Sequence, residues 1–225
     1  MARLQASSEQ TSAAKDEIIQ AAAELFMDLG YTATSIDAIA EKLGATKGRV
    51  YHYFDSKAEI FFAIQRTAME RLAATVEPIA RSGETAEMRL CKMADAHLSR
   101  LLGDLAIQKV AVQGLERYLF EASGYRYVHT LRDINKLRDD YEELFAEVID
   151  EGSRKGVFVD LPPRLLTKPF FGTLNWVTVW YRPRKLQDPQ SISVIREALV
   201  SFAMRGIRRG GADGNGDKSE CALFE

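Results

Sequence analysis

The side chains best suited to chemistry in this chain are cations, hydroxyls and rings gathered between residues 34 and 57. Lys47 and Arg49 are cations that suit a guanine O6/N7 edge or a phosphate oxygen. Thr46 and His52 can hydrogen-bond to bases, and tyrosine hydroxyls can reach phosphate oxygens. This combination predicts a surface that binds double-stranded DNA. The candidate contact residues are Thr34, Ser35, Thr46, Lys47, Gly48, Arg49, Tyr51, His52, Tyr53 and Lys57.

Two short helices are predicted to position these side chains. Ser35 can cap the first helix, and Gly44 can end it in a left-handed conformation. Thr46 can cap the second helix, in which Val50 and Phe54 lie four residues apart and face the core. Two helices joined by a tight turn match the helix-turn-helix unit, whose second helix reads base edges. The apolar face of the first helix comprises Ile36, Ile39, Ala40 and Leu43.

Two positions next to these helices add to the DNA interpretation. Gly48 has no side chain where the helix must approach the duplex closely. Lys57 lies in the first turn of a third helix that Ser56 can cap, so backbone N–H groups there can add to a phosphate contact. Taken singly, Tyr51 fits a half-buried aromatic better and His52 an ordinary surface histidine. The prediction of a DNA-binding surface therefore depends on all of these residues occurring together.

The segment from Lys15 to Phe62 resembles the N-terminal domain of TetR-family transcriptional regulators. The family pattern F-x-x-x-G-[YF]-x-x-[TA]-[TS] is matched from Phe26 to Ser35. The pattern I-x-x-x-[AL]-G-[VA]-[ST]-[KR]-G-x-[VLI]-Y-x-[YHF]-F-x-[SN]-K is matched from Ile39 to Lys57. The resemblance implies a DNA-binding regulator with no enzymatic activity and no cofactor.

The rest of the chain predicts amphipathic helices separated by glycine and proline, with no strand pairing. The predicted fold class is therefore all-α. With the resemblance, it comprises an N-terminal three-helix helix-turn-helix domain and a C-terminal helical bundle for ligand binding and dimerisation. The predicted division is a flexible arm at residues 1–14, the DNA-binding domain at 15–60, the bundle at 61–209 and a disordered glycine-rich tail at 210–225.

The resemblance implies that the last two long helices pair with their copies in a second chain. The final helix carries an apolar stripe, and the 164–181 helix is apolar around much of its circumference, so it must be covered on more than one side. We expect a homodimer on a near-palindromic operator. The stripe of the final helix consists of Ile192, Ile195, Leu199 and Phe202.

The segment with Asn175 between Leu174 and Trp176, followed by Trp180, is similar to one in family members that respond to acyl-CoA thioesters. Alternatively, both tryptophans pack in a dimer interface or the core, and Asn175 is a satisfied buried amide. An arginine in such a pocket could meet a CoA phosphate, or could pair with a neighbouring acid instead. The candidate ligand-binding residues are Arg117, Tyr118, Phe120, Tyr125, Arg132, Asn175 and Trp176. A drug- or antibiotic-sensing repressor of an efflux pump is the alternative within the family.

The charge distribution gives weaker support, because the formal net charge is −2. Residues 42–57 hold four cations (Lys42, Lys47, Arg49 and Lys57) against Asp55, whereas residues 1–30 hold two cations against five acids. The binding face must therefore be built by geometry and not by bulk charge.

Several other classes of protein are disfavoured. The sequence disfavours an all-helical enzyme, since it has no Glu-x-x-His pair, no glycine-rich phosphate loop and no Cys–His cluster with metal spacing. The widely separated Cys91 and Cys221 do not form a disulfide framework. The N-terminus lacks a secretory signal, and the longest apolar run is too short to span a bilayer. A cytoplasmic location and no membrane partner are expected.

Overall fold

The computed structural model describes residues 2–112, 124–183 and 189–210, with the backbone alone at 2–10, 124, 125 and 189. The predicted all-α class is confirmed. A short 3₁₀ turn, Gly124–Tyr127, precedes the seventh helix. The helices are α1 (Ala2–Leu29), α2 (Ile36–Lys42), α3 (Lys47–Tyr53), α4 (Lys57–Ala80), α5 (Ala86–Gly103), α6 (Leu105–Val112), α7 (Val128–Arg154), α8 (Pro163–Asn175), α9 (Val177–Trp180) and α10 (Pro189–Ile207).

The chain forms two compact units. The first contains the residues up to Met69 together with Asp104–Asn135, and the second contains Glu70–Gly103 together with the residues from Lys136 onward. This division differs from the predicted boundary near residue 60, because the apolar residues of α4 continue past that point into both cores. Residues 2–14, predicted as a flexible arm, belong to α1; they are polar and lack the apolar periodicity from which a helix is predicted. The predicted tail lies, apart from Gly210, outside the described residues.

The core of the first unit is built from α1, α2, α3, the first half of α4, and α6. Phe26 and Phe61 are almost fully buried at its centre, and the ring of Tyr31 lies 5.2 Å from the first and 5.5 Å from the second. Val50 from α3 and Ile39 from α2 have no exposed surface and belong to the same cluster. The two short helices are thus fixed by apolar side chains on one face each.

The core of the second unit is formed by α5, α7, α8 and α10 with the second half of α4. The part-buried Asp95 of α5 accepts two hydrogen bonds from the guanidinium of Arg196 on α10, one of them at 2.9 Å. Arg89 of α5 donates to Glu151 of α7 and, at 2.9 Å, to the Ala80 carbonyl. These part-buried ion pairs fix which faces of the helices meet.

The connection after α7 contains backbone pairing that the sequence does not predict. Phe158 and Arg208 form an isolated antiparallel bridge, and the Val159 amide donates to the Ile207 carbonyl at 2.9 Å. The ring of Phe158 lies against Gly152, where an added Cβ would approach it to 2.1 Å, so this packing requires glycine. The sequence predicts no strand pairing because the pairing residues are too few to show an alternating pattern.

Cys91 is buried on α5. Cys221, the only other cysteine in the chain, lies outside the described residues.

A chain of hydrogen-bonded polar groups crosses the second core, with His97 and Tyr141 buried and Asn175 part-buried. His97 is 2% exposed; its Nδ1 lies 2.8 Å from the Tyr141 hydroxyl and its Nε2 lies 2.9 Å from Asn175 Oδ1. An amide oxygen only accepts, so Nε2 carries the proton and Nδ1 accepts from the tyrosine. Burial lowers the pKa of His97 to about 4, against a partial opposing effect of the Asn175 hydrogen bond. The imidazole is therefore neutral at pH 7.

This burial predicts an acid-sensitive second unit. Because the pKa of His97 is depressed in the folded state, its contribution to stability is complete above 6.5 and is lost as pH falls towards 4. At 1.36 kcal/mol per pKa unit, we expect the free energy of unfolding to fall by about 2 kcal/mol between pH 7.5 and pH 5 from this group alone.

Urea unfolding of the wild type and of His97→Gln at the two pH values measures this difference. The variant keeps a polar side chain at the position but no titrating ring, so its loss over the same range should be smaller by about 2 kcal/mol. Equal losses in the two proteins would contradict the assignment.

Candidate nucleic-acid interface

The α2–α3 segment has the local geometry that its sequence predicts. The Ser35 hydroxyl accepts from the Ala38 amide at 3.0 Å, and the Thr46 hydroxyl accepts from the Arg49 amide at 3.4 Å. Gly44 ends α2 with φ of +60°, a conformation that favours glycine. The Ser35 and Thr46 hydroxyls therefore have a capping role, whatever further contact they make.

The helix α3 turns a polar face to solvent and one apolar face to the core. Lys47, Arg49, Tyr51 and His52 are exposed, whereas Val50 is fully buried. The exposed set combines two cations, a phenol and an imidazole, which are hydrogen-bonding groups suited to base edges and phosphates. The structure thus brings together the four side chains of α3 that carry the DNA prediction.

Gly48 is not required by the packing of the protein itself. An added Cβ at this position would meet only the Thr46 hydroxyl oxygen, at 3.8 Å, an ordinary contact distance. The absent side chain leaves the backbone of the first turn of α3 open to an approaching surface. Close approach of a duplex at Gly48 stays a prediction.

Tyr53 differs from its neighbours on α3. It is half-buried and packs against the core cluster of the first unit. Its ring meets the ring of His52 edge-on, with 4.8 Å between the centroids. The Tyr53 ring therefore packs α3 against the core of the first unit and contributes less surface to the exposed face of α3.

Thr34 and Lys57, two of the predicted DNA contacts, hold the loop between α1 and α2. Thr34 is 1% exposed and donates its hydroxyl to the Gly30 carbonyl at 2.9 Å. The Lys57 ammonium donates to the Tyr31, Thr32 and Thr34 carbonyls at 2.7, 3.3 and 2.8 Å, and lies 4.4 Å from the Tyr31 ring centroid. Burial lowers the pKa of Lys57. Its three N–H donors are used within the protein, which sequence spacing alone cannot reveal.

Each exposed cation on this surface is matched by a carboxylate. Lys47 pairs with Asp37 at 2.8 Å, Arg49 Nη2 pairs with Glu17 Oε2 at 2.8 Å, and Lys42 pairs with Glu24 at 2.7 Å. The hydrogen bond with Asp37 raises the pKa of Lys47. The hydrogen bond from Lys42 is the largest cause of the lowered pKa of Glu24. The sequence predicts the cations but not these partners, because each partner lies on a different helix from its cation. Glu17, for example, lies 32 residues from Arg49.

The candidate ligand-binding residues are dispersed in the structure. Arg132 is exposed on α7 within the first unit, whereas Asn175 and Trp176 belong to the second. Asn175 is the hydrogen-bonded amide of the His97 chain, and Trp176 is 61% exposed. Tyr125 lies in the 3₁₀ turn, where the structure describes its backbone only. The remaining candidates lie outside the described residues: Arg117, Tyr118 and Phe120.

Sequence reasoning missed the aromatic group around His97. The Phe171 ring lies 4.6 Å from that of Phe145 and 5.4 Å from the imidazole, and the Tyr141 ring lies 5.9 Å from Phe171. The available signal was a histidine among apolar residues on one face of α5, next to Ala94, Leu98 and Leu101. An isolated histidine of this kind does not identify its partners on other helices.

Two further observations bear on the class of protein. Within the described ranges, no group of three or more His, Cys, Asp or Glu side chains is placed to hold a metal ion. In the same ranges, none of the helices combines the length and the apolar character needed to cross a bilayer.

Comparison with known families matches both parts of the chain. The sequence model for bacterial regulatory proteins of the tetR family matches residues 18–64. The model for the tetracyclin repressor-like C-terminal domain matches residues 83–207. The two matches together span the α2–α3 segment and most of the second unit.

Individual proteins are similar over most of their length. The fatty acid metabolism regulator protein of Bacillus subtilis is 27% identical over 82% of this chain and 93% of its own. The transcriptional repressor KstR2 of Rhodococcus jostii is 28% identical over 87% of this chain and 92% of its own.

A solved structure shows the same fold. The crystal structure of AibR with isovaleryl coenzyme A and operator DNA superposes with a TM-score of 0.63 at 21% identity, covering 84% of this chain and 97% of AibR. At that identity the likeness concerns the fold alone. From the two family matches and the exposed α3 on its helix-turn-helix support, this chain is a member of the TetR family of DNA-binding transcriptional regulators and not an enzyme.

Proposed function

We propose that the chain is a homodimeric repressor that inserts α3 into the DNA major groove and leaves a near-palindromic operator when a hydrophobic effector binds. The observation that supports DNA reading most directly is the exposed polar face of α3, held rigidly by Val50 and the Thr46 cap. In this proposal Arg49 reads a guanine edge, and Lys47 and Tyr51 contact phosphates. His52 contributes a further hydrogen bond to a base.

The proposed dimer uses an apolar surface on α8, α9 and α10 of the second unit. Trp176 and Trp180 are 61% and 45% exposed, and Phe202 is 70% exposed. Exposure of this kind argues against core packing of the two tryptophans, and a surface carrying so many large apolar groups commonly marks an interface. Leu165 of α8, Val179 of α9 and Val194 of α10 are also exposed.

A second copy of the chain is the occupant that fits this surface best. A twofold interface brings the same apolar patch from each chain into contact. It also supplies two copies of α3, as a near-palindromic site requires. Half-sites would then lie one or more helical turns apart, about 34–36 Å for one turn.

The best-supported effector class is an acyl-CoA thioester. The similar protein of Bacillus subtilis is a fatty acid metabolism regulator, and AibR, which shares the fold, has been crystallised with isovaleryl coenzyme A and operator DNA. The second unit offers polar groups within an aromatic setting, namely Asn175 and Tyr141 beside Phe171. Apolar walls with a few polar anchors suit an acyl chain that ends in a thioester.

Release requires two conformations with different affinities for the effector. The helix α4 has residues in both units, and we propose that it passes the change from the effector site to the spacing of the two α3 helices. Moving the population from 1:99 to 99:1 needs about 5.5 kcal/mol of differential affinity. The proposed site of action is the cytoplasm, where the operator DNA is.

The reading role of Arg49 is tested by Arg49→Ala. Loss of a bidentate guanine contact should cost about 1–3 kcal/mol on an operator selected by the wild-type protein from a random library, and less on random DNA. Fluorescence anisotropy at one fixed salt concentration gives both affinities. Arg154→Ala, which removes an exposed cation from α7, should leave both unchanged. Equal losses of Arg49→Ala on both DNAs would contradict a base-reading role.

The dimer is tested by Phe202→Glu. Burying an unpaired carboxylate in the proposed interface should raise the dimer dissociation constant by about a hundredfold or more, with loss of operator binding. Light scattering and sedimentation at micromolar concentration report the assembly. Leu161→Glu introduces the same charge at an exposed position in the connection before α8 and should remain dimeric. A monomeric wild type would overturn this part of the proposal.

The effector class is tested by thermal-shift screening followed by calorimetry. Medium- or long-chain acyl-CoA should raise the melting temperature and release the selected operator, with stabilisation of about 2.7 kcal/mol at a ligand concentration of 100 Kd. Free CoA and the free fatty acid are the matched controls for the two halves of the ligand. Stabilisation by antibiotics and not by acyl-CoA would favour a drug-sensing repressor of an efflux pump instead.

A further inference from the structure

We propose that Glu17 is a specificity-determining residue that positions Arg49 for base reading and weakens binding to random DNA. The inference rests on the proposed reading role of α3 and extends it to a residue of α1 that lies outside the helix-turn-helix pair. It starts from one contact, the 2.8 Å hydrogen bond from Arg49 Nη2 to Glu17 Oε2.

The contact leaves most of the guanidinium available. A guanidinium has five N–H donors in a rigid planar fork, and Glu17 is bonded here through a single Nη2–Oε2 contact. The remaining donors can form the paired hydrogen bonds that a guanine edge accepts. Glu17 can therefore stay bound to one side of Arg49 while the other side reads a base.

Both partners are also accessible. The side chains of Arg49 and Glu17 are 43% and 57% exposed, so the pair lies on the same solvent-facing surface as α3. An exposed ion pair of this kind is worth at most about fivefold in an equilibrium constant. It is too weak to lock Arg49 away from DNA, but it is sufficient to bias which rotamer of a long side chain is populated.

The charge of Glu17 acts separately from its hydrogen bond. A carboxylate close to the reading face repels phosphates of every sequence, which lowers affinity for all DNA alike. It also offsets the positive charge of Arg49, so fewer counterions leave the duplex on binding. The acidic segment that precedes the helix-turn-helix therefore acts on this surface: Glu17 and Glu24 each neutralise one of its cations, as Asp37 of α2 does for Lys47.

Glu17→Gln separates the two effects. We expect affinity for the selected operator to fall by up to about fivefold relative to affinity for random duplex of the same length, because Arg49 loses its charged anchor. Affinity for random DNA should rise by about twofold, and the slope of log K against log salt should steepen by up to about one. Anisotropy titrations at several salt concentrations give all three quantities.

Two comparisons make the test specific. Glu41→Gln removes the same charge from an exposed position on α2 and should raise affinity for both DNAs equally, leaving their ratio unchanged. In the Arg49→Ala background, Glu17→Gln should no longer change the ratio, because the two residues act as a coupled pair. Melting temperatures of all variants confirm that the first unit remains folded.

The outcomes are distinguishable from failure of the proposed function. Suppose that Arg49→Ala loses sequence preference but Glu17→Gln, like Glu41→Gln, raises affinity for both DNAs equally. Glu17 then contributes bulk charge only, and the inference is overturned. The inference is also overturned if Glu17→Gln still changes the ratio of operator affinity to random-DNA affinity in the Arg49→Ala background. If the wild type prefers no sequence at all, the reading role of α3 fails first.

Discussion

The DNA-reading surface depends on one constraint: α3 is too short to be a helix by itself. Seven residues form fewer than two turns, and a helix of this length in water is unstable without tertiary contacts. Its order therefore comes from Val50, buried without exposed surface in the first core, and from the Thr46 cap. Because all of the stabilising contacts lie on one face and at one end, the opposite face is free to carry cations and hydrogen-bonding groups.

The loop before α2 is likewise ordered by contacts with side chains of the first unit. Lys57 uses its ammonium to bind three backbone carbonyls, and Thr34 uses its hydroxyl for another. These residues fall inside the family's sequence pattern but contribute to the fold more than to the exposed surface. Residues in a recognition motif thus divide into those that build the helix-turn-helix and those that face the solvent.

The sequence was informative where local rules act, and much less so where distant residues meet. Caps at Ser35 and Thr46, the left-handed Gly44 and the buried Val50 are set by neighbours a few residues away, and the structure confirms them. The partners of His97 lie 44 and 78 residues away, and that of Arg49 lies 32 away, so no local pattern could identify them. The contacts of the Lys57 ammonium with three backbone carbonyls were missed for the same reason, since those carbonyls lie 23 to 26 residues away.

The central claim, that α3 reads base edges from a twofold assembly, is tested most directly by methylation protection of genomic DNA bound to the protein. Guanine N7 lies in the major groove, so an inserted α3 should shield it in two half-sites separated by one or more helical turns, about 34–36 Å for one turn. That result is the one the account predicts. An absence of protected guanines across the genome, or protection of a single isolated patch, would contradict it.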